Sequence, residues 1–403
     1  MRGLTNDEAA AVERVAGEPM LAQVEGWAGV NSGSHNLVGL GQVAGLLADA
    51  FAALPGELGL REPAPVDSVT ASGDRLPVQL GRNLHLAVRP RAPVQLLFTG
   101  HMDTVFAADH PFQDVFWRDE GVLGGPGVAD MKGGLAVLLA ALKAVERSPV
   151  SATFGYEIVI NSDEEVGSPG SAALIAGAAR GKRAALTYEP SALPDGTLAG
   201  ARPGSGNFSL IVTGRSAHAG RNPEEGRNAV LAAAELALRL AEAKSEGLSV
   251  NPAKIDGGGP NNVVPDHAVL RINMRPATLA DQARAQSALE EAVAEVSARR
   301  DVCINMHGGW GRPPKPVDPA AERLFALVAR CGADLGQTIG RRDSGGVCDG
   351  NNIAACGVPV VDTMGVRGGA IHSDSEYLIV ESLAERACLS ALAILRLAQG
   401  EGL

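Results

Sequence analysis

Acidic residues and histidines cluster in the sequence beside segments that read as buried strands. His101 and Asp103 directly follow the apolar run 94–99. In an extended segment, side chains two positions apart point the same way, so one of the pair could bind a metal ion while the other accepts the free ring N–H of the histidine. Two polar residues in a surface loop would give the same pattern, so the pair by itself is weak support for a metal site.

A second cluster surrounds Asp130, which lies inside the glycine-rich stretch 124–134. Glycines on both sides allow the backbone to come close to whatever the carboxylate holds. Asp130 could instead serve only as the N-cap of the helix that we predict over residues 132–146, since aspartate is a preferred cap.

Three consecutive acids, Asp163, Glu164 and Glu165, follow the predicted strand 156–161. Negative charges this close repel one another unless a cation compensates them. Neighbouring side chains diverge, so one glutamate could bind a metal while the other faces a bound water molecule as a general base. A solvated acidic loop is the alternative, but it does not explain why the acids follow a buried strand.

Glu189, after the predicted strand 183–188, and His372, in the stretch 368–377, complete the set. Together the clusters supply five ligands that suit zinc: His101, Asp130, Glu165, Glu189 and His372. Two zinc ions about 3.5–4 Å apart and bridged by one carboxylate form a known hydrolytic centre. The five cysteines include no C-x-x-C pair, which argues against a thiolate zinc site and favours reduced thiols.

The elements that must position these residues alternate between helix and strand. Helices are predicted over residues 6–27, 38–53, 132–146 and 168–179, and strands over 94–99, 156–161 and 183–188. This alternation is typical of an α/β domain with a largely parallel sheet, in which ligands bind at the carboxyl ends of the strands. The clusters should therefore meet at one edge of the sheet.

A second, smaller unit is predicted from residue 205 onward. Its pattern contains two helices and about four strands: helices over 227–244 and 279–298, and strands over 207–213, 263–264, 268–274 and 302–306. The proline-rich stretch 312–316 reads as the linker that leaves this unit, after which the α/β pattern resumes. We therefore predict a discontinuous α/β domain over residues 1–204 and 316–403, with an α+β domain inserted over residues 205–315.

The composition excludes some classes of partner. Acids exceed bases by 11 in a chain of 403 residues, so a nucleic-acid backbone or an anionic membrane surface is an unfavourable partner. The acidic first residues do not look like a secretory signal, and the longest apolar run is far shorter than the roughly 20 residues of a membrane helix. We expect a cytoplasmic protein that acts on a small molecule.

Taken in order, the clusters resemble those of one family, the di-zinc amidohydrolases and exopeptidases that include glutamate carboxypeptidase, aminoacylase, acetylornithine deacetylase and succinyl-diaminopimelate desuccinylase. The resemblance runs from about Gly26 to the C-terminus. It is carried by Gly-His-Met-Asp-Thr (100–104), Gly-Pro-Gly-x-Ala-Asp-Met-Lys-Gly-Gly (125–134) and Asp-Glu-Glu-x-Gly-Ser (163–168). It is greatest with the glutamate carboxypeptidase branch of the family.

The resemblance implies a di-zinc catalytic domain and an inserted lid and dimerisation domain with a four-stranded sheet and two helices. It implies a role for each metal ligand: Asp130 as the bridge, His101 and Glu189 on one zinc, and Glu165 and His372 on the other. Cobalt or manganese could replace the zinc. Glu164 would be the general base, and Asp103 would orient His101.

The resemblance also implies contacts from the lid domain. His218, in Ser-Ala-His-Ala-Gly (216–220), would reach into the active site of the partner subunit of a homodimer and stabilise the oxyanion, with Asn262 as its companion. Arg275 and Arg312 would hold the α-carboxylate of the substrate, which suits the fork of a guanidinium.

Gly346 is expected to contact the substrate from the loop 344–352. The family usually has Gly-Gly-Gly-Thr-Asp at this loop, and here Cys348, Asn351 and Asn352 stand where it approaches the substrate side chain. The departure argues against a simple specificity for glutamate.

We predict a zinc-dependent hydrolase that cleaves an amide bond next to a free carboxylate, in the manner of a glutamate carboxypeptidase. An N-acyl-amino-acid deacylase is the alternative within enzymes, because both reactions cleave an amide beside a carboxylate. A catalytically silent metal-binding scaffold is the alternative outside enzymes, although such a protein is expected to have lost a ligand or the base. A nucleotide-binding oxidoreductase is disfavoured, because no G-x-G-x-x-G joins the first strand to its helix.

Overall fold

The computed structural model describes residues 3–402, so the predicted outer limits at residues 1 and 403 lie outside the described part of the chain. This part contains ten α-helices: α1 (Asn6–Val15), α2 (Met20–Ala28), α3 (Leu37–Phe51), α4 (Gly134–Glu146), α5 (Ala172–Ala179), α6 (Ala229–Glu242), α7 (Leu279–Arg300), α8 (Pro319–Asp334), α9 (Asp349–Ala354) and α10 (Glu381–Ala398). The helix predicted over residues 6–27 is two helices, because Gly17 and Pro19 lie between them. No helix of residues 3–402 has the length and apolar content needed to cross a bilayer.

Twenty strands occur in the same residues: β1 (Glu57–Arg61), β2 (Val66–Val69), β3 (Arg75–Val78), β4 (Asn83–Val88), β5 (Val94–His101), β6 (Phe116–Asp119), β7 (Val122–Gly124), β8 (Phe154–Asn161), β9 (Ala184–Thr187), β10 (Leu198–Ala199), β11 (Ser205–Thr213), β12 (Ala217–His218), β13 (Leu248–Gly257), β14 (Val263–Val264), β15 (His267–Pro276), β16 (Cys303–Arg312), β17 (Arg341–Arg342), β18 (Val360–Val361), β19 (Gly368–Gly369) and β20 (Tyr377–Ile379).

The larger sheet has six strands in the order β1-β4-β8-β5-β9-β18. The pairs β8·β5, β5·β9 and β9·β18 are parallel, whereas β1·β4 and β4·β8 are antiparallel. Alternate residues of β5 point to opposite faces: Leu96 and Phe98 pack in the main core with α4 and α10, and Leu97 packs in a smaller core with α5 and α9. The predicted α/β fold is confirmed, with a mixed sheet whose parallel half is covered on both faces.

The second unit is an antiparallel sheet of four strands, β13-β15-β11-β16, with α6 and α7 packed on one face. We call it the lid sheet. The predicted strand 263–264 exists as β14, but it pairs with β12 and does not join this sheet. The fourth strand is β13, which the sequence did not indicate because Pro252 and several polar residues interrupt its pattern. A proline is tolerated there because β13 lies at the sheet edge.

Two chain segments join the units and lie side by side. The main-chain N–H of Arg202 donates to the oxygen of Lys315, and the N–H of Lys315 donates to the oxygen of Arg202, both at 2.9 Å. An inserted domain requires its entry and exit segments to be close. The limits 205–315 of the inserted domain stay a prediction, which the pairing of Arg202 with Lys315 supports.

Candidate metal centre

The carboxyl ends of the parallel strands bring the predicted metal ligands together. His101 is the last residue of β5, Glu165 lies in a short 3₁₀ turn after β8, and Glu189 follows β9. Asp130 comes from a non-helical segment before α4, and His372 from the loop between β19 and β20. Five separate stretches of chain therefore converge at one edge of the sheet.

The ring of His101 is buried and fixed from one side. Its Nδ1 lies 3.0 Å from the main-chain oxygen and 3.3 Å from Oδ1 of Asp103. Both of these atoms accept hydrogen bonds, so Nδ1 carries the proton and Nε2 is the nitrogen left to bind a metal. Nε2 faces Asp130 Oδ1 at 3.1 Å and Glu189 Oε2 at 3.6 Å. Asp103 is thus in contact with the ring, and its orienting role stays a prediction.

Asp130 lies between the two histidines. Its Oδ1 faces His101, and its Oδ2 is 3.3 Å from Nε2 of His372. The same Nε2 is 3.1 Å from Oε2 of Glu165. The carboxylate of Asp130 thus has His101 and Glu189 on one side and Glu165 and His372 on the other, which is the position of a bridging ligand.

Burial disfavours the charges of this cluster. It raises the pKa of Glu189 to about 7, against the opposing charge of His101, and it raises the pKa values of Glu164 and Glu165. Burial would also raise the pKa of Asp130, but hydrogen bonds from the two histidines lower it overall. Without a compensating cation, these carboxylates are an electrostatic liability.

The donor set fits a pair of divalent cations. Two overlapping groups of side chains have ligand atoms that all lie within 4.8 Å of one another: His101 with Asp130 and Glu165, and His101 with Glu164 and Glu189. Imidazoles and carboxylates without a thiolate suit zinc, cobalt or manganese. The second group includes Glu164, for which the family resemblance implies the role of general base, so this predicted base lies directly beside the candidate ligands.

Asp103 also holds the main chain of the two glutamates. Its carboxylate accepts the main-chain N–H of Glu164 and of Glu165, each at 3.1 Å, and the hydroxyl of Ser34 at 2.7 Å. One buried carboxylate therefore contacts both a candidate metal-binding histidine and the turn that carries the acids.

Glu376 does the same for the segment that carries Asp130. Its carboxylate accepts the main-chain N–H groups of Gly127 at 3.2 Å, Ala129 at 2.9 Å and Asp130 at 3.0 Å. We did not assign it a role from the sequence, although it lies four residues after His372 in the same cluster. A buried acid with three main-chain donors fixes the backbone of a ligand from behind.

Arg312 is paired with two acidic residues of the protein itself. Its Nη2 is 2.7 Å from Oε1 of Glu164, and its Nη1 is 3.1 Å from Oδ1 of Asp349. The side chain is only 3% exposed, and Nη2 also donates to the hydroxyl of Ser168. Both terminal nitrogens of Arg312 are therefore engaged, one of them by the predicted base, so its predicted contact with a substrate carboxylate stays a prediction. Asp349, which we did not single out from the sequence, anchors this arginine.

Arg275 lines a cleft of about 1120 Å³, which we call the lid cleft. Glu164 and the candidate metal ligands Glu165 and His372 line the same cleft. Arg275 donates through Nε to Asn273 Oδ1 at 3.0 Å and through Nη1 to the main-chain oxygen of Gly345 at 3.3 Å. Its other N–H groups have no partner in residues 3–402, so it suits a carboxylate.

A second cavity of about 570 Å³ adjoins the lid cleft at Glu164, Glu165 and His372 and is also lined by Glu189. Arg202 and Cys348 contribute to its wall. The guanidinium of Arg202 is paired with Asp362, with Nε to Oδ2 at 2.7 Å and Nη2 to Oδ1 at 3.1 Å. Gly346 lines the lid cleft, where its main-chain oxygen accepts from Arg202 Nη1 at 3.1 Å.

His218 and Asn262 lie next to each other and apart from the ligands. His218 is exposed in β12, which pairs with β14, and the N–H of Ala219 donates to the main-chain oxygen of Asn262 at 2.9 Å. Within residues 3–402, neither residue lines the lid cleft or the second cavity. Their predicted action in a partner subunit stays a prediction.

A family model and individual relatives agree on the family that this chain resembles. Residues 97–396 match the model described as peptidase family M20/M25/M40. The chain is 30% identical over 326 residues to carboxypeptidase G2 of Pseudomonas sp. (strain RS-16), covering 80% of this chain and 78% of that protein. It is 29% identical over 310 residues to succinyl-diaminopimelate desuccinylase of Pseudomonas syringae pv. syringae (strain B728a), covering 72% and 78%.

A solved structure extends the likeness to the whole fold. YXEP of Bacillus subtilis, described as a dinuclear metal binding peptidase of the M20 family, superposes with a TM-score of 0.64 at 14% identity. The match covers 96% of this chain and 98% of that one.

Proposed function

The chain belongs to peptidase family M20/M25/M40, and we propose that within this family of peptidases and amidohydrolases it is a metal-dependent hydrolase that cleaves an amide bond next to a free carboxylate. The amino acid on the nitrogen side of the bond carries the carboxylate and is released. This is the reaction of a carboxypeptidase that acts on short substrates.

One observation carries the proposal: the candidate metal ligands and a guanidinium with free N–H groups line the same cleft. Glu165, His372 and Arg275 are all among its lining residues. A substrate held by its carboxylate at Arg275 would extend its amide toward the ligands. Because a guanidinium pairs with a carboxylate through two parallel hydrogen bonds, it fixes the direction of the substrate as well as its position.

Two metal ions held by His101, Asp130, Glu165, Glu189 and His372 would polarise the amide carbonyl and lower the pKa of a water molecule. Glu164 stands beside these ligands and is placed to take a proton from water and pass it to the leaving nitrogen. Arg312 holds the carboxylate of Glu164 at 2.7 Å, and Asp103 holds its main chain at 3.1 Å. The base is therefore fixed from both ends.

An N-acyl-amino-acid deacylase is the other candidate. The second cavity, which Arg275 does not line, would receive the group on the carbonyl side of the bond. A deacylase places a simple acyl chain there, whereas a carboxypeptidase places the rest of a peptide. The two relatives named above, a carboxypeptidase and a desuccinylase, represent the two sides of this choice.

We also propose a homodimer whose lid histidine acts in the partner subunit. His218 is exposed and does not line the cleft of its own chain, which supports an action elsewhere. With Asn262 it would offset the charge of the oxyanion, a contribution on the order of 3 kcal/mol per donor in other hydrolases.

A hydrolysis screen tests the proposal. N-acyl amino acids, dipeptides and folate-like glutamates are incubated with the protein and added zinc or cobalt, and each is compared with its C-terminal carboxamide. We expect hydrolysis of members with a free α-carboxylate and at least a tenfold loss when that carboxylate is amidated. If the protein took up metal but hydrolysed none of the compounds, the proposed hydrolase would be refuted and the catalytically silent metal-binding scaffold would be favoured.

A further inference from the structure

A row of three asparagines crosses the lid sheet on the face that forms the lid cleft. Asn251 on β13 is directly opposite Asn273 on β15, which is opposite Asn207 on β11. Gly309 on β16 continues the row, so all four strands contribute one residue each. All four line the lid cleft beside Arg275. Three amides in register on one sheet face form a surface of hydrogen-bonding groups.

The hydrogen bonds of the row fix the orientation of two of its amides. Arg275 Nε can only donate, and it lies 3.0 Å from Asn273, so Asn273 must present Oδ1 to it. The Nδ2 of Asn273 then points away from Arg275 and donates to Asn207 at 2.8 Å. Asn207 must therefore present its own Oδ1 to Asn273, which leaves its two N–H groups for the cleft.

Asn207 is consequently a donor aimed at the substrate. Its side chain is exposed in the cleft, and its Nδ2 has no partner among residues 3–402. It lies diagonally across the β11·β15 pair from Arg275, and residues at such positions are about 7–8 Å apart, with their β-carbons somewhat closer. An amino acid bound by its α-carboxylate at Arg275 can reach Asn207 with the end of its side chain.

Charge decides which side-chain ends are suitable. Of the two arginines that line the lid cleft, Arg312 has its charge paired with Glu164 and Asp349, whereas Arg275 has no acidic partner among residues 3–402. A second carboxylate would enter a cleft that also exposes Glu164 and Glu165 and would meet only a neutral amide. A neutral acceptor gains the hydrogen bond of Asn207 without this repulsion.

We propose that Asn207 selects a leaving amino acid whose side chain ends in a neutral hydrogen-bond acceptor, a carboxamide or a ureide, over an acidic or apolar one. Asn273 is a positioning residue in this arrangement because it orients both Asn207 and Arg275. The inference rests on the proposed function, since it takes Arg275 as the holder of the α-carboxylate.

The test uses three leaving amino acids with side chains of similar length, each joined to two different acyl groups. The values of kcat/KM are measured for N-acetyl-L-glutamine, N-acetyl-L-methionine and N-acetyl-L-glutamate, and for the L-alanyl dipeptides of the same amino acids. The variant Asn207→Leu removes the donor at nearly constant volume. Asn305→Leu is the matched control, because Asn305 is exposed on the same sheet face but does not line the cleft.

We expect the unaltered protein to prefer glutamine over methionine and glutamate by about tenfold, the effect of one hydrogen bond. Asn207→Leu should reduce the glutamine-to-methionine ratio to about one, mainly through KM, whereas Asn305→Leu should leave the ratio unchanged. Hydrolysis without a preference for glutamine, or an unchanged ratio in Asn207→Leu, would overturn the inference and leave the proposed function standing. If the protein hydrolysed none of the six compounds, both the inference and the proposed function would be refuted.

Discussion

Replacing each cleft arginine by methionine should separate the holding of the base from the holding of the substrate. Arg312→Met removes the pairs with Glu164 at 2.7 Å and Asp349 at 3.1 Å, whose side chains are 10% and 2% exposed. Removing one partner of a buried pair destabilises a protein by about 3–5 kcal/mol. The base also loses its support. General-base catalysis contributes about 10²–10⁴-fold, so we expect kcat to fall at least 100-fold with little change in KM.

Arg275→Met should act on KM. Its side chain is half-buried and, within the described residues 3–402, is hydrogen-bonded only to Asn273 and Gly345, so the free energy of unfolding should change by less than about 1 kcal/mol. A hydrogen-bonded charge contributes about 1.5–3 kcal/mol to binding. At about 1.4 kcal/mol per tenfold, KM should rise roughly 10- to 150-fold while kcat is nearly kept.

Steady-state kinetics with a substrate and its C-terminal carboxamide measure these effects, and urea unfolding measures the stabilities. Arg312→Lys serves as a second variant, since it keeps the buried charge and loses the fork that bonds Glu164 and Asp349 together. It should fold and still lose kcat. If Arg312→Met or Arg312→Lys raised KM with kcat intact, while Arg275→Met left KM unchanged, the assignment of the two arginines would be wrong.

Three further predictions concern support, assembly and stability. Glu376→Gln should weaken metal affinity by about 10–100-fold in a metal titration, and the exposed Glu120→Gln should not; equal affinities would refute the supporting role. A mixture of His218→Ala and Glu164→Ala chains should recover activity that neither variant has alone, and no recovery would contradict a site shared between subunits. The pKa of Asp362 is lowered to about 2, in spite of burial, by the charges of its paired cations. A carboxyl group whose pKa is lower in the folded than in the unfolded protein, where it is about 3.9, stabilises the folded protein at pH values above 3.9. Asp362→Asn should therefore lower the free energy of unfolding by about 2 kcal/mol near pH 7. The deficit in urea unfolding should shrink as pH falls from 4 toward 2, and a deficit independent of pH would refute this cause.

The sequence was most informative where a ligand directly follows a strand. His101, Glu165 and Glu189 lie at or just after the ends of β5, β8 and β9. Because ligands bind at the carboxyl ends of parallel strands, local sequence patterns were enough to group these residues. Helices α1 to α7 and strands β5, β8 and β9 were found for the same reason, since apolar runs and helical periodicity are local signals. After residue 316 only a resumed α/β pattern was predicted, so α8, α9, α10 and the parallel strand β18 were not located individually.

The groups that hold the ligands depend on contacts that the sequence does not display. Glu376 bonds to Asp130 across 246 positions, and Arg312 bonds to Glu164 across 148. Only the fold shows that Arg312 is paired with the base. The edge strand β13 was missed because a proline and polar residues hide its alternation, and this strand carries Asn251.

Metal stoichiometry measured together with turnover in Glu164→Ala tests the central claim most directly. The unaltered chain and the variant are stripped with a chelator, titrated with zinc or cobalt, and assayed with a substrate that has a free α-carboxylate. We predict two ions per chain in both proteins, with activity that rises with metal in the unaltered chain and is absent from the variant. Activity that persists in Glu164→Ala, or an unaltered chain that binds two ions and hydrolyses nothing, would contradict the account.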